Sequence, residues 1–418
     1  MNFQVPKGTY DVLPADHERR QVLESHAHKI FGAAGYRRIE TPTFESTELF
    51  ARGVGESTDI VQKEMYTFDD GGGRSLTLRP EGTAPICRAY IEHGMHKLPQ
   101  PVKLWYLSSF FRAEQPQRGR YRQFWQVGAE AIGTDAPEAD AELILMLAEL
   151  LDTMGVKGSR LRLASLGTPA TRAQYRDELT TYLRAHEAQL SAEVRARIDL
   201  NPMRAFDATD SGTRRVMESA PKLLDALAPE DAEHFDQVKR LLDLAGIRYE
   251  LDPTLVRGLD YYTRTLFEFT SDALGAQSGV GGGGRYDGLI EQLGGQPTPG
   301  VGFASGVERI LLAGTEQPIA PEPVDLLVVN LDRESAVTSA AGFELAREAR
   351  QAGLAAQFEL FGRSLKSALK HADRINARYV ALVNDEQSAS LKDMDSGEQQ
   401  ELELARVIAT ILRGSRLA

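Results

Sequence analysis

The stretch TEQPIAPEPV, from Thr315 to Val324, carries prolines at 318, 321 and 323 and divides the chain into two patterns. A proline fixes its own φ and pushes the preceding residue out of the α region, so prolines this dense predict an extended spacer. After the spacer, VDLLVVNL, AAQFELF and YVALVN read as strands alternating with helices, which predicts a small α/β domain over 324–418. Before it, Asp16 reads as the N-cap of a helix carrying Val22, Leu23, Ala27, Ile30, Phe31 and Ala34 and ended by Gly35. YRRIETPTFE follows as an extended segment interrupted by Pro42. SLTLRP, VKLWYLSSFFR and YRQFWQVGAE read as strands, the last two forming a long antiparallel hairpin around a polar loop. Asp140 to Met154 reads as helix. From 170 to 248 helical signal dominates, which predicts a helical insertion between two parts, 1–169 and 249–318, of an α+β domain with an antiparallel sheet. TLFEFT in the second part is a strand and GVERILLAG a helix.

The net charge of -12 over 418 residues argues against a general polyanion-binding surface but leaves room for local basic patches. One cysteine, Cys87, permits no disulfide within the chain and fits a reducing compartment. MNFQVPKGTY has no basic segment followed by an apolar one, so no signal peptide is expected. The apolar run LILMLAELL from Leu143 is short and contains Glu149, which reads as a buried helix and not a membrane span. A cytoplasmic protein is the expectation. Histidines and carboxylates do not cluster at metal-ligand spacing, so no structural metal is expected.

FRAEQPQRGRYRQFWQ, Phe111 to Gln126, concentrates Arg112, Arg118, Arg120 and Arg122 in this acidic chain. Strand side chains alternate faces. One face from Arg120 reads Arg120, Arg122, Phe124, Gln126, Gly128, Glu130; the other reads Tyr121, Gln123, Trp125, Val127, Ala129. The planar guanidinium can donate two parallel hydrogen bonds to a phosphate, so the first face suits a polar molecule beside a phosphate-bearing one. A solvated face with scattered charges fits the same pattern. RPEGT sets Glu81 and Thr83 at a strand-to-turn junction, as an acceptor for an ammonium group or as a plain turn. LVRGLDYY offers Arg257, Tyr261 and Tyr262, for a site or for packing. In GVGGGGRYDG the glycines permit close backbone approach to a ligand, and the spacing is not that of a dinucleotide fingerprint.

In order along the chain, these stretches resemble the histidyl-tRNA synthetases, a family of class II aminoacyl-tRNA synthetases. KGTYDVLP resembles the family's start, GYRRIETPTFE its motif 1, the arginine-rich hairpin its motif 2 and GVGFASGVERILL its motif 3. TLRPEGT, LVRGLDYYTRTLFE and GGGGRYDGL resemble its histidine-specific segments. The resemblance covers nearly the whole chain and implies a class II synthetase-like catalytic domain followed by an anticodon-binding domain. It implies ATP and L-histidine as substrates, tRNA(His) as partner and a homodimer with Pro42 near its interface. Arg112 would meet the α-phosphate, Phe124 would stack on adenine, and Arg309 would bind the γ-phosphate. Gln117, Arg118 and Arg120 would meet ATP and the tRNA acceptor end. Glu81, Thr83 and Gln126 would hold the α-amino group. Glu130 and Tyr262 would bracket the imidazole, with Tyr261 and Tyr286 nearby. Arg257 would lie over the reacting carboxylate and α-phosphate, stabilising charge as the bond forms. Mg²⁺ would arrive with ATP, held largely by its phosphates.

In the C-terminal domain, Arg363, Lys366, Lys370, Arg374 and Arg378 fall at the spacing of one helical stripe, with Leu365, Ala368, Leu369, Ala372 and Ile375 on the apolar side. With the resemblance, Lys370 and Arg374 are expected against RNA phosphates. Two departures stand out. Trp125 occupies a position where the family often has histidine, and NDEQSASLKDM stands where the family often has a longer segment. Two rival readings remain: a non-catalytic regulatory paralogue serving ATP phosphoribosyltransferase, and a class II synthetase for another amino acid. The C-terminal domain argues against the first. Glu130, Tyr262 and LVRGLDYY argue against the second.

Overall fold

The computed structural model describes residues 3–55, 58–255, 258–275, 278–315, 324–332 and 334–415. The chain divides into two compact units after Gln317. Most of the proline-rich spacer, 316–323, lies outside the described residues, as does Arg257.

The first unit begins with α1 (Pro14–Ala33), β1 (Arg37–Arg38), β2 (Phe44–Ser46), α2 (Thr47–Val54), β3 (Tyr66–Asp69), β4 (Ser75–Leu78) and α3 (Thr83–Glu92). It continues through β5 (Val102–Phe111), β6 (Gln123–Ile132), α4 (Pro137–Thr153), β7 (Ser159–Ser165), α5 (Pro169–Ala185), α6 (Ala192–Arg197), α7 (Ser211–Glu218) and α8 (Pro229–Leu244). It ends with β8 (Tyr249–Leu251), β9 (Thr263–Ser271), β10 (Gly279–Arg285), α9 (Leu289–Gln292), β11 (Gly300–Gly306) and α10 (Val307–Ala313). Eight strands form one sheet in the order β1-β5-β6-β11-β10-β9-β7-β8. Its pairs are antiparallel except β1 with β5 and β7 with β8. A small sheet, β2-β4-β3, lies apart.

The first helix starts two residues before the expected cap. Pro14 occupies its first turn, where a missing N–H costs nothing, and Asp16 sits inside that turn, where a carboxylate favours the helix dipole. Leu23, Ala27, Ile30 and Phe31 are buried as the periodicity requires. Gly35 follows at φ 85°, a conformation that glycine adopts without steric cost.

Strands β5 and β6 pair from Val102↔Ile132 to Phe111↔Gln123, which makes the expected hairpin. The strand starts at Gln123, however, so Arg120 and Arg122 belong to the loop and not to its alternating face. Arg122 turns away: its backbone N–H donates to Gly8 O (2.7 Å) and its Nε to Glu114 O (3.2 Å). The loop closes on itself between Gln117 and Arg120, with Gly119 at φ 75° between them. The glycine-dense stretch is itself strand β10, inside the sheet between β9 and β11. A Cβ at Gly283 would stand 1.9 Å from Gly302 O, so strand–strand contact alone demands glycine there.

The helix-rich stretch splits in two. From α5 to α7 it builds its own core around Tyr175, Leu179, Leu183 and Val216. Helix α8 instead gives Phe235, Val238 and Leu242 to the core shared with α1, α4 and the large sheet.

The second unit holds β12 (Val324–Asn330), α11 (Ala336–Gln351), β13 (Ala356–Phe358), α12 (Leu365–Arg374), β14 (Ala377–Val383), β15 (Ser388–Asp393), β16 (Gln399–Glu403) and α13 (Leu404–Ser415). The sheet runs β13-β12-β14-β15-β16, parallel over the first three strands and antiparallel over the last two pairs. NDEQSASLKDM forms a tight turn, in which Asp385 Oδ1 accepts from Gln387 N and Ser388 N at 2.8 Å each, and then β15. The basic stripe is shorter than its spacing suggests. Only Lys366, Lys370 and Arg374 lie on α12, all exposed. Arg363 precedes the helix and pairs with Glu359 (2.5 Å), while Arg378 lies on β14 with its guanidinium over Tyr379. Ala368 and Ala372 are buried, but Leu365 at the first turn is exposed.

Candidate active site

A cleft of about 640 Å³ opens on the large sheet of the first unit. Strands β6, β10 and β11 form its floor. The turn before α3, the β5–β6 loop, the segment after Gly258 and the first turn of α10 form its walls.

At one end two carboxylates are buried. Glu81 accepts Thr83 N (2.7 Å) and Ala84 N (3.0 Å), so it ties down the first turn of α3. Tyr261 Oη reaches the same carboxylate at 3.4 Å. Burial raises the Glu81 pKa, and these donors and the charge of nearby Arg112 oppose the rise. Glu130 is wholly buried on β6, where it accepts Thr83 Oγ1 (2.8 Å) and Tyr286 Oη (2.7 Å). Desolvation pushes its pKa up to about 8, while the two hydroxyls oppose the shift. Gly302 on the neighbouring strand makes room for this carboxylate, since a Cβ there would stand 1.7 Å from Glu130 Oε2. The Tyr261 ring lies 4.9 Å from that of Tyr262 and 6.0 Å from that of Tyr286. Among the described residues, Gln126 Oε1 and the Tyr106 hydroxyl are buried in this wall without a hydrogen-bond partner. Buried polar atoms are rarely left so in a protein interior, which marks them as groups for a ligand.

Beside this group the lining brings arginines together with acids, among them Arg112, Arg120 and Arg309 with Glu64 and Glu114. Arg112 Nε donates to Pro80 O (2.9 Å), and its guanidinium lies 5.4 Å from the Phe124 ring centre. Arg120 pairs with Glu114 (3.1 Å) on the same loop. Burial, and then the Glu114 charge, raise the pKa of the nearby Glu64. Arg309 lines the cleft from the first turn of α10. Its neighbour Glu308 fixes that turn, accepting Arg20 Nη2 (2.8 Å), Tyr10 Oη (3.0 Å) and Trp125 N (3.0 Å). This explains KGTYDVLP physically: Tyr10 brings the N-terminal segment onto α10. Trp125 faces away from the cleft floor with Arg20 over its ring at 5.2 Å.

The structure therefore brings Glu81, Thr83, Arg112, Arg120, Phe124, Gln126, Tyr261, Tyr262 and Arg309 around one cleft, with Glu130 buried behind Thr83 and Tyr286. Gln117 and Arg118 stand exposed at the loop tip and do not line it. Lys370 and Arg374 are in the second unit. Sequence reasoning missed Tyr106, which line-by-line alternation places beside Gly128, and Arg204, which reaches the cleft from the helical stretch. Among the described residues no group of three or more histidine, cysteine or acidic side chains could hold a metal ion, and no helix is long and apolar enough to cross a membrane.

Residues 8–310 match the family described as histidyl-tRNA synthetase, and residues 325–413 match the anticodon binding domain. A relative named histidine–tRNA ligase from Halothermothrix orenii is 44% identical, over 98% of this chain and 98% of that one. Another of the same name, from Desulforudis audaxviator, is 47% identical over 98% and 99%. The crystal structure of apo S. aureus histidyl-tRNA synthetase superposes with a TM-score of 0.81 at 35% identity, covering 98% of this chain and all of that one. The chain belongs to the histidyl-tRNA synthetase family.

Proposed function

We propose that this chain is a histidine–tRNA ligase, which joins L-histidine and ATP into histidyl-adenylate with release of pyrophosphate and then moves the histidyl group to the 3′ end of tRNA(His), releasing AMP. The observation that carries the reading is one cleft that sets Glu81, Thr83 and Gln126, with Glu130 buried behind Thr83, beside the arginines Arg112, Arg120 and Arg309. Imidazole has two ring nitrogens that need partners, and Glu130 with Tyr262 supplies one on each side. Glu81, Thr83 and Gln126 hold the α-amino group, Gln126 Oε1 being an acceptor with no donor among the described residues. Arg112 holds the α-phosphate, Phe124 stacks on adenine, Arg120 supports the loop over ATP, and Arg309 holds the γ-phosphate. The histidine carboxylate oxygen attacks the α-phosphorus and pyrophosphate leaves. Positioning and electrostatics do this work, since the protein forms no covalent bond. Arg257, assigned from the sequence alone, stabilises the charge at that step.

Mg²⁺ enters with ATP, held by the phosphates, and no residue is assigned to it. The protein acts in the cytoplasm as a homodimer. Phe44 and Phe68 of the small sheet, just past Pro42, are exposed and meet edge to face at 6.1 Å, which gives the dimer an apolar contact. Gln117 and Arg118 at the exposed loop tip meet the tRNA acceptor end.

The test is amino-acid-dependent ATP–pyrophosphate exchange with each standard amino acid and no tRNA. Exchange with histidine alone is the expected result. Folded protein that binds histidine but supports no exchange would instead be a regulatory paralogue. The tRNA assignment has its own test. Reversing Lys370 and Arg374 to glutamate places two anions against RNA phosphates, and kcat/KM for tRNA should fall by about tenfold or more. Exchange should stay at the parent level, because the first unit carries it alone. An equal loss in both reactions would sink the assignment.

A further inference from the structure

The strand that delivers Tyr262 to the cleft is irregular where it matters. On β9, Thr263 pairs with Arg285 and Leu266 with Gly284, so the ladder to β10 is broken across Arg264 and Thr265, while Thr265 keeps its pairing with Ser165 of β7. Arg264 has φ 45°, a left-handed conformation that a side chain adopts only when its surroundings impose it. Such irregularities redirect neighbouring side chains and leave backbone groups without a ladder partner.

Here the partners come from the root of the helical stretch. Leu166 N donates to Arg264 O (2.7 Å) and Arg264 N donates to Gly167 O (2.8 Å). The Arg264 side chain donates from Nε to the fully buried Asp231 (3.0 Å), which also accepts Thr168 N (2.8 Å) and Thr171 Oγ1 (3.0 Å). The last partner is unlike the others. Arg172, on the first turn of α5, reaches across with Nη1 to the backbone carbonyl of Tyr262 at 2.7 Å. Its charge is half-buried, and desolvation lowers its pKa against the opposing Asp260. A long cation withdrawn from water to hold one carbonyl is costly unless that carbonyl must be held.

We propose that Arg172 is a positioning residue for histidine recognition, its guanidinium fixing the Tyr262 carbonyl and through it the place of the Tyr262 phenol in the cleft. The inference rests on the reading that Tyr262 contacts the imidazole. It makes the helical stretch a part of the amino-acid site and not only an attachment beside it. Arg172 touches neither substrate; it acts through the backbone of a residue that does.

The test is pyrophosphate exchange with Arg172→Ala, Arg172→Lys, Tyr262→Phe and the double variant R172A/Y262F. R172A should raise KM for histidine about tenfold, the scale of a lost charge-assisted hydrogen bond, with KM for ATP within about twofold of the parent. R172K, which keeps the charge but not the planar reach, should fall between. Y262F should cost less in the R172A background than in the parent, because both changes loosen one contact. An unchanged KM for histidine in folded R172A overturns the proposal, as does a matched rise in both KM values or full additivity with Y262F. Should R172A not fold, Arg172→Met keeps the aliphatic stem and removes the same bond. If the parent itself shows no exchange, the ligase reading fails separately, and calorimetric titration of histidine into parent and R172A still decides the role of Arg172.

Discussion

Glu130→Ala should lower kcat/KM for histidine in pyrophosphate exchange by about three orders of magnitude, while KM for ATP stays within about twofold. The carboxylate is wholly buried, and its two protein partners, Thr83 and Tyr286, are hydroxyls that would lose their acceptor along with the substrate. A site of buried polar groups discriminates strongly because each group left unpaired carries its full desolvation cost. The proposed phosphate contacts, by contrast, take nothing from Glu130. The same residue sets a pH signature. Below about 8 Glu130 is protonated in the free protein, and free histidine has an imidazole pKa of about 6.5. A carboxyl and an imidazole joined by a hydrogen bond share one proton. Between about 6.5 and 8 the two partners already hold that one proton, so binding is pH-independent there. Below about 6.5 a proton must be released, and above 8 one must be taken up, so affinity falls on both sides. Calorimetric titration of histidine from pH 5.5 to 9, in parent and E130A, reads this directly. Affinity that passes through 8 without a break in the parent would remove Glu130 from the imidazole contact.

How much of this was legible in the sequence depended on whether side chains carried the pattern. The β5–β6 hairpin was readable because period-two alternation runs through its ten-residue strands, and Phe124, Gln126 and Glu130 fell on one face from that rule alone. Strand β10 was not, because only Val280 and Arg285 in it carry side chains that could alternate. Its reason for being glycine, the approach of β11 and of the Glu130 carboxylate, belongs to the sheet and not to the segment. The basic stripe misled for a related reason. Spacing at three and four residues continues on paper past the end of a helix, but Asn376 at φ 50° stops α12 and returns the chain as β14 before Arg378. Likewise the helix-rich stretch reads as one block, although α8 packs with the main core, because helical signal does not say against what a helix packs.

The site's supporting contacts were the least readable part. Tyr286 meets Glu130 across 156 positions of sequence, Glu308 meets Tyr10 across 298, and Arg172 meets Tyr262 across 90. Each joins two segments whose local patterns are complete without the other. The residues expected to touch ligand stand in recognisable local runs, whereas those that hold them do not. A hydroxyl or a guanidinium acquires that task only once the strands are stacked.

Arg112→Ala should lower the rate of adenylate formation by about 10²- to 10³-fold, with a smaller rise in KM for histidine because the bond to Pro80 O, next to Glu81, is lost as well. The arginine is held before any substrate arrives. Its Nε is committed to Pro80 O at 2.9 Å, and its plane is backed by Phe124 at 5.4 Å. Glu114 lies 3.8 Å from Nη1, close enough to orient the group but too far for a tight ion pair. With Arg112 assigned to the α-phosphate, a donor anchored in this way needs no reorganisation at the moment of reaction. Lysine cannot reproduce the arrangement, since it has one nitrogen to serve both Pro80 and the phosphate. Arg112→Lys should accordingly recover no more than about tenfold of the loss. Rapid-quench measurement of histidyl-adenylate in a single turnover separates this step from product release. A lysine variant at the parent rate would show that a point charge suffices there, and that the Pro80 anchor does not contribute to catalysis.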